Sequence, residues 1–436
     1  MWLVLSCLTG CAFERHREQL AQFHANGEYA QAAAALDDPK VHNLYDAEDQ
    51  VLWHMDRASV ALALSDTKTA LTNFELAKKD TEFNDSKSAG EVVGEWLLND
   101  TVRRYIAEPY EDMYLSVLTM VALLEEGRVE PGATNEARRF GTRANYLRER
   151  YNQQFQAVEK RGGAQLGSWQ ATHGSKDQGD FIESPLGVYL AALSFMAVGD
   201  TDAQRIAAAR LGDAIERQKG MIGAVDAGAF GDLAGKTTET ANVVVVAFSG
   251  RGPTKTPFRL PPIVIDKVQV YAEIPILRRH DSRVSGATVE IEGQGATKLS
   301  LIEDMSGVAM ANYDRIMPMI QARAVARALV KAGVAYAVTE TVDRKSNRND
   351  TSRWLTQIGL LAAQIATEHV DIRCWAFLPG QARVTTLKLA PGKHRVRVVY
   401  SGTGSGSGGG AAYASPWQEV EVGTGPLRAV VTHYWN

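Results

Sequence analysis

The sequence predicts an α+β protein in which an α-helical repeat array precedes a mixed α/β domain with an antiparallel β part at its end. In the first half, apolar residues recur with a helical period. In the second half, runs such as Asn242 to Phe248 are β-branched and predict buried strands. Between them, Gly, Ala and Thr dominate 220–240, which indicates a linker. The predicted boundaries are a signal peptide over 1–10, a helical domain over 11–219, a mixed domain over 241–370 and a β segment over 371–436.

The first eleven residues resemble a bacterial lipoprotein signal. An apolar run that begins at Trp2 ends in Leu8, Thr9, Gly10 and Cys11. This is the arrangement of a lipobox, in which small residues precede the cleavage point and a nucleophilic thiol receives a diacylglycerol. The resemblance implies that Cys11 becomes the lipidated first residue of the mature chain. Acyl chains contribute about 0.8 kcal/mol per buried methylene, so several of them would hold the protein at a membrane.

The location that this signal implies is the bacterial outer membrane, with the folded part facing the periplasm. Ala12 follows the cysteine, and by analogy with known lipoproteins a residue other than Asp favours the outer membrane. The segment before the apolar run, Met1 and Trp2, lacks the usual Lys or Arg. A start codon assigned too late would account for this. The alternative is a buried N-terminal helix that contains a cysteine.

Composition and charge argue against several classes of protein. The 436 residues suffice for two or three domains, and a net charge of -4 without a Lys and Arg cluster argues against nucleic-acid binding. The sequence contains no run of about 18 apolar residues, so a membrane-spanning helix is not predicted. The nine histidines are scattered and no Cys-x-x-Cys occurs, so neither a metal site nor a cofactor is predicted.

A single cysteine, Cys374, would remain in the folded mature chain, since Cys7 lies in the signal peptide and Cys11 would be acylated. An intramolecular disulfide is therefore not predicted. Cys374 stands in an apolar stretch with Trp375 and Phe377, where we expect a buried, unreactive thiol rather than a nucleophile.

The helical half is predicted to consist of four helix pairs. The turns of the first and last pairs share a Gly followed by an acidic residue, with an Ala soon after: Gly27, Tyr29 and Ala32 in the first pair, and Gly199, Asp200 and Ala203 in the last. Two further pairs are predicted around 65–67 and 128–134. The pairs resemble tetratricopeptide repeats, whose stacked helices leave a concave surface for a peptide or protein segment. The spacing is irregular, and an irregular helical bundle is the alternative.

A long polar loop is predicted over 161–180, between the third and fourth pairs. It is rich in Gly, Gln, Ser and Asp and contains Trp169. A loop of this length in a compact domain is either functional or disordered. Trp169 is therefore a candidate partner or ligand anchor, and packing of its indole on the helices is the alternative.

The second half is predicted to contain strands, then two helices, then strands again. The strands before the helices are 242–248, 263–274, 287–292 and 298–302, and the helices are 306–338 and 353–369. The strands after the helices are 372–378, 383–389, 394–400, 417–422 and 427–434. A Pro-Gly turn at 391–392 fits an antiparallel sheet, and the Gly/Ser run over 402–412 is predicted as a connection.

Several short motifs of the second half are similar to those of one family of bacterial lipoproteins. They are 245–255 with its Gly-Arg-Gly-Pro-Thr-Lys core, 260–261, 271–275, 301–305, 371–375 and 378–380. The resemblance spans nearly the whole chain. It implies a helical repeat region in front of a mixed α/β part, and a place in the cell envelope. The family has no assigned reaction, so the resemblance implies no catalytic residue.

Two groups of polar residues are candidates for chemistry. Arg251 and Lys255, flanked by glycines and Pro253, could present cations and backbone amides to an anion such as a carboxylate or a glycan phosphate. The alternative is a strand exit with solvated cations. Glu303 and Asp304 precede a predicted helix, where capping explains them better than acid-base catalysis.

The sequence therefore favours a non-enzymatic lipoprotein whose helical half docks an envelope protein or peptide. The alternative is an envelope enzyme or a protein that binds a cell-wall ligand. In that alternative, Arg251, Lys255 and polar groups near Glu303 or Asp371 would converge on a pocket. A component of a secretion, flagellar or adhesion machine is the third possibility.

Overall fold

The computed structural model describes residues 2–46, 49–88, 105–161, 181–222, 230, 233–261, 263–265, 268–317, 320–321, 324, 370–402, 411–423 and 425–435. Helices occupy the first half of the chain and a curled sheet occupies most of the second half. The protein is thus mixed helix and sheet, in the order that the sequence predicts.

The helices of the first half pack in consecutive pairs. They are α1 (Trp2–Asn26), α2 (Tyr29–Leu36), α3 (Pro39–His42), α4 (Gln50–Ala63), α5 (Thr67–Ser88), α6 (Pro109–Glu125), α7 (Thr134–Arg161), α8 (Pro185–Ala197) and α9 (Thr201–Ile222). The pairs are α1 with α2, α4 with α5, α6 with α7, and α8 with α9. Each connection contains a residue with positive φ, namely Gly27, Ser65, Gly127 or Gly199. A left-handed residue after a helix satisfies its last carbonyls and lets the chain turn back.

The strands of the second half form one large sheet and two small ones. They are β1 (Val243–Arg251), β2 (Thr254–Arg259), β3 (Ile263–Ile265), β4 (Val268–Val270), β5 (Glu273–Arg278), β6 (Val284–Ile291), β7 (Ala296–Glu303), β8 (Pro379–Leu387), β9 (Gly392–Gly402), β10 (Ala411–Ala414), β11 (Gln418–Val422) and β12 (Arg428–Tyr434). The large sheet has the order β10-β9-β6-β7-β8-β1-β12, and β11 also pairs with β9. Gln418 Nε2 donates to the carbonyl of Val431 at 2.9 Å, so β11 approaches β12 and the sheet is nearly closed.

Strand β1 is buried on both faces. The side chains of Val244, Val246 and Phe248 point to one face and pack with the helices. They belong to a core that the two halves of the chain share. The odd positions from Val243 to Ala247 pack inside the curl of the sheet, in a second core. This explains the uninterrupted apolar run of β1, because alternation with polar residues needs one solvated face.

Several predicted strands differ from the structure. The predicted strand 263–274 comprises β3, β4 and the start of β5. Strands β2 and β10 lie in stretches rich in Pro or Gly, which is why the pattern does not predict them. The C-terminal β part is antiparallel as predicted, except that β12 pairs with β1 in parallel. The predicted strand 372–378 is wrong, because this stretch joins no ladder among the described residues.

The predicted helices and linker of the second half are described in part. A helix that we call α10 spans 305–317, within the predicted 306–338, and 353–369 lies outside the described residues. Within the predicted linker 220–240, α9 continues to Ile222. Gln204 Nε2 on α9 donates to the carbonyls of Leu233 at 2.8 Å and Lys236 at 2.9 Å, so this part of the linker is fixed to the helical half.

Candidate functional site, a cleft around an extended segment

Residues 371–378, which we call the clamped segment, lie against a surface formed by α1, α4 and α6, which we call the helical cleft. Two side chains of α1 bond carbonyl groups of the segment. The Arg17 guanidinium donates to the carbonyl of Cys374. His24 Nδ1 donates to the carbonyl of Ala376 at 2.8 Å. Burial lowers the pKa of His24 to about 4, so the ring is neutral and carries its proton on Nδ1.

The other two helices bond N–H groups of the segment through carboxyl groups. Glu111 Oε1 on α6 accepts the N–H of Trp375 at 2.7 Å. Asp56 Oδ1 on α4 accepts the N–H of Ala376 at 2.8 Å. Buried backbone groups need such partners, and here side chains take the place of a neighbouring strand. This is the physical reason why the β-like sequence of the segment forms no strand.

The aromatic side chains of the clamped segment fill the cleft. Trp375 is 2% exposed, and its Nε1 donates to Ser59 Oγ at 3.0 Å. The indole meets Phe74 edge-on, with 6.3 Å between ring centroids. Phe377 stacks on His24 at 5.0 Å. The segment therefore combines backbone bonding with aromatic anchors, which are the two features by which extended peptides are usually bound.

The carboxyl groups of the cleft are buried and have several partners. The side chain of Asp56 is fully buried and forms an ion pair with Arg17. Glu111 also accepts hydrogen bonds from the hydroxyl of Tyr105 and, at 2.9 Å, from the N–H of Glu108. Burial raises the pKa of Glu111. Loss of either acid would leave several buried donors without an acceptor.

A second ion-pair cluster adjoins the start of the clamped segment. Arg373 Nη2 lies 2.8 Å from Asp371 Oδ2, and its Nη1 contacts Asp49. The guanidinium also lies 5.5 Å from the centroid of the Tyr105 ring. Burial raises the pKa of Asp49 to about 6. Burial acts in the same direction on Asp371, but the hydrogen bonds and charge of Arg373 outweigh it and lower its pKa.

Lys255, a candidate ligand residue from the sequence, is buried and paired. Its side chain is 3% exposed, and Nζ lies 2.5 Å from Glu108 Oε1. The ammonium group also lies 5.8 Å from the ring centroids of Tyr105 and Tyr313. The alternative of a solvated cation at this position is wrong, because Lys255 is the buried residue of β2 and its ammonium group faces Glu108.

Arg251 is the last residue of β1 and has a different partner from Lys255. It is half-buried, and its Nη2 lies 3.4 Å from His280 Nδ1. Lys255 and Asp371 do interact within the buried cluster around the clamped segment. Among the described residues, Arg251 and Lys255 thus have different partners, and the pocket that would combine them stays a prediction.

Glu303 caps a helix, although not the one that follows it in sequence. It accepts hydrogen bonds from the hydroxyl of Tyr114 at 2.6 Å, the hydroxyl of Ser184 at 2.5 Å and the N–H of Leu186 at 2.9 Å. The last two belong to the start of α8, whose positive end favours a carboxyl group. Burial nevertheless raises the pKa of Glu303 to about 7.

Asp304 caps α10, the helix that follows it. Its Oδ1 accepts the N–H of Gly307 at 3.0 Å, and Arg279 Nη2 lies 2.7 Å from Oδ2. The prediction that this pair caps the following helix is thus confirmed for Asp304 and wrong for Glu303, whose carboxyl group caps α8 instead. Neither residue bonds the backbone of the clamped segment in the hydrogen bonds of the described residues.

The residues predicted for the first helix turn connect the helical half to the end of the sheet. Gly27 has a φ of +70°, and the Trp435 ring lies where a Cβ atom would stand. Tyr29 is the first residue of α2, and its ring meets those of Phe377 and His433 at 6.3 and 6.1 Å. Ala32 is fully buried. Position 27 therefore requires glycine, because any side chain there would clash with the Trp435 ring.

The last helix turn is a capped turn on the surface. Gly199 has a φ of +73°, and a Cβ atom there would meet nothing within 4 Å. Asp200 Oδ1 accepts the N–H of Ala203 at 3.1 Å and so caps α9. Glycine is required here by the backbone conformation alone.

The proposed lipidation signal lies within α1. Leu8, Thr9, Gly10 and Cys11 are helical, and the structure describes their backbone alone. Cys374 is buried, as predicted, and burial raises the pKa of its thiol. A thiol in that state is a poor nucleophile.

The side chains that bond the clamped segment are not among the residues predicted from the sequence. Arg17, Asp56 and Glu111 are charged residues on the inward faces of helices. A signal was present for two of them, because Asp56 and Glu111 stand among apolar residues of α4 and α6, where a charge needs a buried partner. The partner itself lies hundreds of positions away, and no periodicity points to it.

Three further findings bear on the predicted functions. Trp169 lies outside the described residues. Within the described ranges, no group of three or more His, Cys, Asp or Glu is placed to hold a metal ion, and no helix has the length and apolarity to cross a membrane. Comparisons with protein-family models, with curated proteins and with solved structures find no match. The resemblance to a lipoprotein family therefore stays a prediction.

Proposed function

We propose that the protein is a bacterial envelope lipoprotein, attached through Cys11 to the outer membrane and facing the periplasm, that acts as a non-enzymatic protein-binding scaffold. The observation that carries the binding role is the helical cleft. Its side chains on three helices bond the backbone of an extended segment and enclose its indole. This is the chemistry by which a helical surface holds a peptide.

The proposal includes a degenerate array of tetratricopeptide-like repeats in the helical half. Four consecutive helix pairs, each with a left-handed residue in its connection, support it. The cleft is already filled by the chain itself. A partner therefore binds either on the outer helical surface or after displacement of the clamped segment.

The continuity of α1 supports a close connection between the lipid anchor and the folded body. Arg17 and Cys11 lie on the same helix, and six residues of helix span about 9 Å. Phe13, two residues after Cys11, already meets Tyr45 edge-on at 5.2 Å. A lipid attached at Cys11 would thus hold the cleft near the membrane surface.

The anchor is tested by Cys11→Ser, with Cys7→Ser as the matched control. Cells that express the full chain are labelled with a palmitate analogue and separated into membrane and soluble fractions. We expect Cys11→Ser to lose the label and leave the membrane fraction, while Cys7→Ser keeps both. A Cys11→Ser protein that is still labelled and membrane-bound would refute the lipidation.

The scaffold role is tested by photo-crosslinking in intact cells. A photoreactive residue replaces one exposed apolar residue at a time: Leu64 and Ile206 on the helical half, which are 45% and 54% exposed, or Phe258 on β2, which is 47% exposed. We expect a discrete adduct with one protein from the helical positions and none from Phe258. Adducts from Phe258 alone, or from no position, would contradict the proposal.

A further inference from the structure

We propose that Arg251, Arg278 and His280 form a binding site for a small anion that presents a phosphate or carboxylate group. The site lies where β1 ends and where β2 pairs with β5. It adjoins the helical cleft, since the charges of Arg251 and His280 act on His24, but it depends neither on the lipid anchor nor on a protein partner.

The backbone that carries Arg251 is fixed on both sides. Gly250 has a φ of +67°, and the N–H of Gly252 donates to the carbonyl of Leu378 at 2.6 Å. The carbonyl of Arg251 itself accepts the hydroxyl of Ser306 at 3.2 Å. The side chain therefore projects from a rigid point, which reduces the entropy lost when it binds a ligand.

The contacts of the Arg251 side chain leave most of its donors available. Its Nη2 lies 3.4 Å from His280 Nδ1, while His280 Nε2 lies 3.0 Å from Thr254 Oγ. Because the Arg251 guanidinium can only donate, His280 Nδ1 is the acceptor. The His280 ring is therefore neutral, and its Nε2–H donates to Thr254 Oγ. Among the described residues, no carboxyl group contacts the guanidinium.

Positive charge is concentrated around His280. Arg278 stands directly opposite Thr254 in the β2–β5 ladder. Burial and the charges of both Arg251 and Arg278 lower the pKa of His280. Like charges this close repel each other, and a bound anion would offset that repulsion.

Two acidic residues of this region, Asp281 and Asp304, pair with Arg279. Arg279 Nε lies 3.2 Å from Asp281 Oδ1, and Arg279 Nη2 lies 2.7 Å from Asp304 Oδ2. Neither acts on Arg251, although the charge of Asp281 partly opposes the effect of the two arginines on the pKa of His280. A guanidinium fork recognises two oxygens of one anionic group, which phosphates and carboxylates share.

The test uses the full-length protein and isothermal titration at constant ionic strength. Inorganic phosphate is the probe in one series and acetate in the other, so that the two ligand classes are distinguished. We expect saturable binding to a single site for at least one of them. Arg251→Gln should weaken that binding about tenfold to hundredfold, the size expected for loss of a charge-assisted contact.

The matched control is Arg259→Gln. Arg259 is a half-exposed cation on β2 that forms an ion pair with Glu273 at 2.7 Å. Its replacement removes the same charge and should leave binding unchanged. Circular dichroism establishes that both variants are folded. The proposal is overturned if the wild-type protein binds neither probe saturably, or if the two variants bind equally, since general charge attraction would then explain the effect.

Discussion

The clamped segment (371–378) and strand β8 (Pro379–Leu387) are consecutive in the chain and satisfy their backbone polar groups in different ways. β8 forms ladders with β1 on one side and β7 on the other. The clamped segment is bonded by side chains from three helices. In a ladder, each residue supplies its own donor and acceptor whatever its side chain. In the cleft, each bond depends on one particular side chain.

This difference makes the cleft the more specific and the more vulnerable of the two regions. A substitution in β8 changes packing but leaves the ladder bonds in place. A substitution of a cleft acid leaves buried donors without an acceptor, which costs far more than one ordinary hydrogen bond contributes.

The largest effect is expected for Glu111→Ala. The change removes the acceptor of Trp375 N–H, Tyr105 hydroxyl and Glu108 N–H at a fully buried position. We expect the free energy of unfolding to fall by about 3–5 kcal/mol, because the buried donors lose their partner and a small cavity opens. Urea denaturation followed by circular dichroism measures this loss.

Thr385→Ala is the control for that prediction in β8. Thr385 is half-buried and pairs with Val245 in the β1 ladder. Because the ladder bonds remain, we expect a loss of less than about 1 kcal/mol. If Glu111→Ala and Thr385→Ala destabilised the protein equally, the clamped segment would not depend on its side-chain partners more than a strand does.

A smaller effect, which depends on pH, is expected at Glu303. This residue ends β7, where the sheet passes from ladder bonds to side-chain bonds with α8. Burial raises its pKa from 4.5 to about 7, so the folded protein binds this proton more tightly than the unfolded chain does. The contribution of Glu303 to stability is therefore fully present below about pH 4.5 and is lost as the pH rises through 7.

The variant Glu303→Gln isolates this pH dependence, because the amide does not titrate. Between pH 4.5 and 8, we expect the free energy of unfolding of the wild-type protein to fall relative to that of the variant, by up to about 3 kcal/mol. Urea denaturation of both proteins at each pH gives the difference. A difference that stays constant over this range, or that grows in the opposite direction, would show that burial does not raise this pKa.

The sequence predicted the elements whose signals are local. Four helix pairs, the Val-rich β1 and the cap at Asp304 follow from periodicity, β-branching and cap chemistry. The clamped segment has the same apolar, β-like composition as a strand, and its sequence alone cannot tell the two apart. What distinguishes it is the presence of Arg17, Asp56 and Glu111 opposite its backbone.

Lys255 and Arg251 show the same limit on prediction from the sequence. Both occur in one Gly-Arg-Gly-Pro-Thr-Lys stretch, which predicts a single loop for the two cations. The structure turns Lys255 inward to Glu108 and leaves Arg251 half-exposed beside His280. Side-chain direction is set by strand register in β2, which depends on its pairing with β5. A short stretch interrupted by Pro carries too weak a pattern to define that register.

The smallest effect is expected at an exposed ion pair of the sheet, between Glu292 and Arg395. Arg395 Nη1 lies 2.6 Å from Glu292 Oε1, and the two side chains are 51% and 52% exposed. Solvent screens such a pair, and Glu292 keeps its backbone N–H bond to the carbonyl of Arg395 at 2.9 Å. We therefore expect Glu292→Gln to change the free energy of unfolding by less than about 0.5 kcal/mol, measured by urea denaturation at low and high salt. A loss above about 1 kcal/mol that persists at high salt would mean that side chains, rather than the ladder, hold this part of the sheet. The contrast between the sheet and the helical cleft would then disappear.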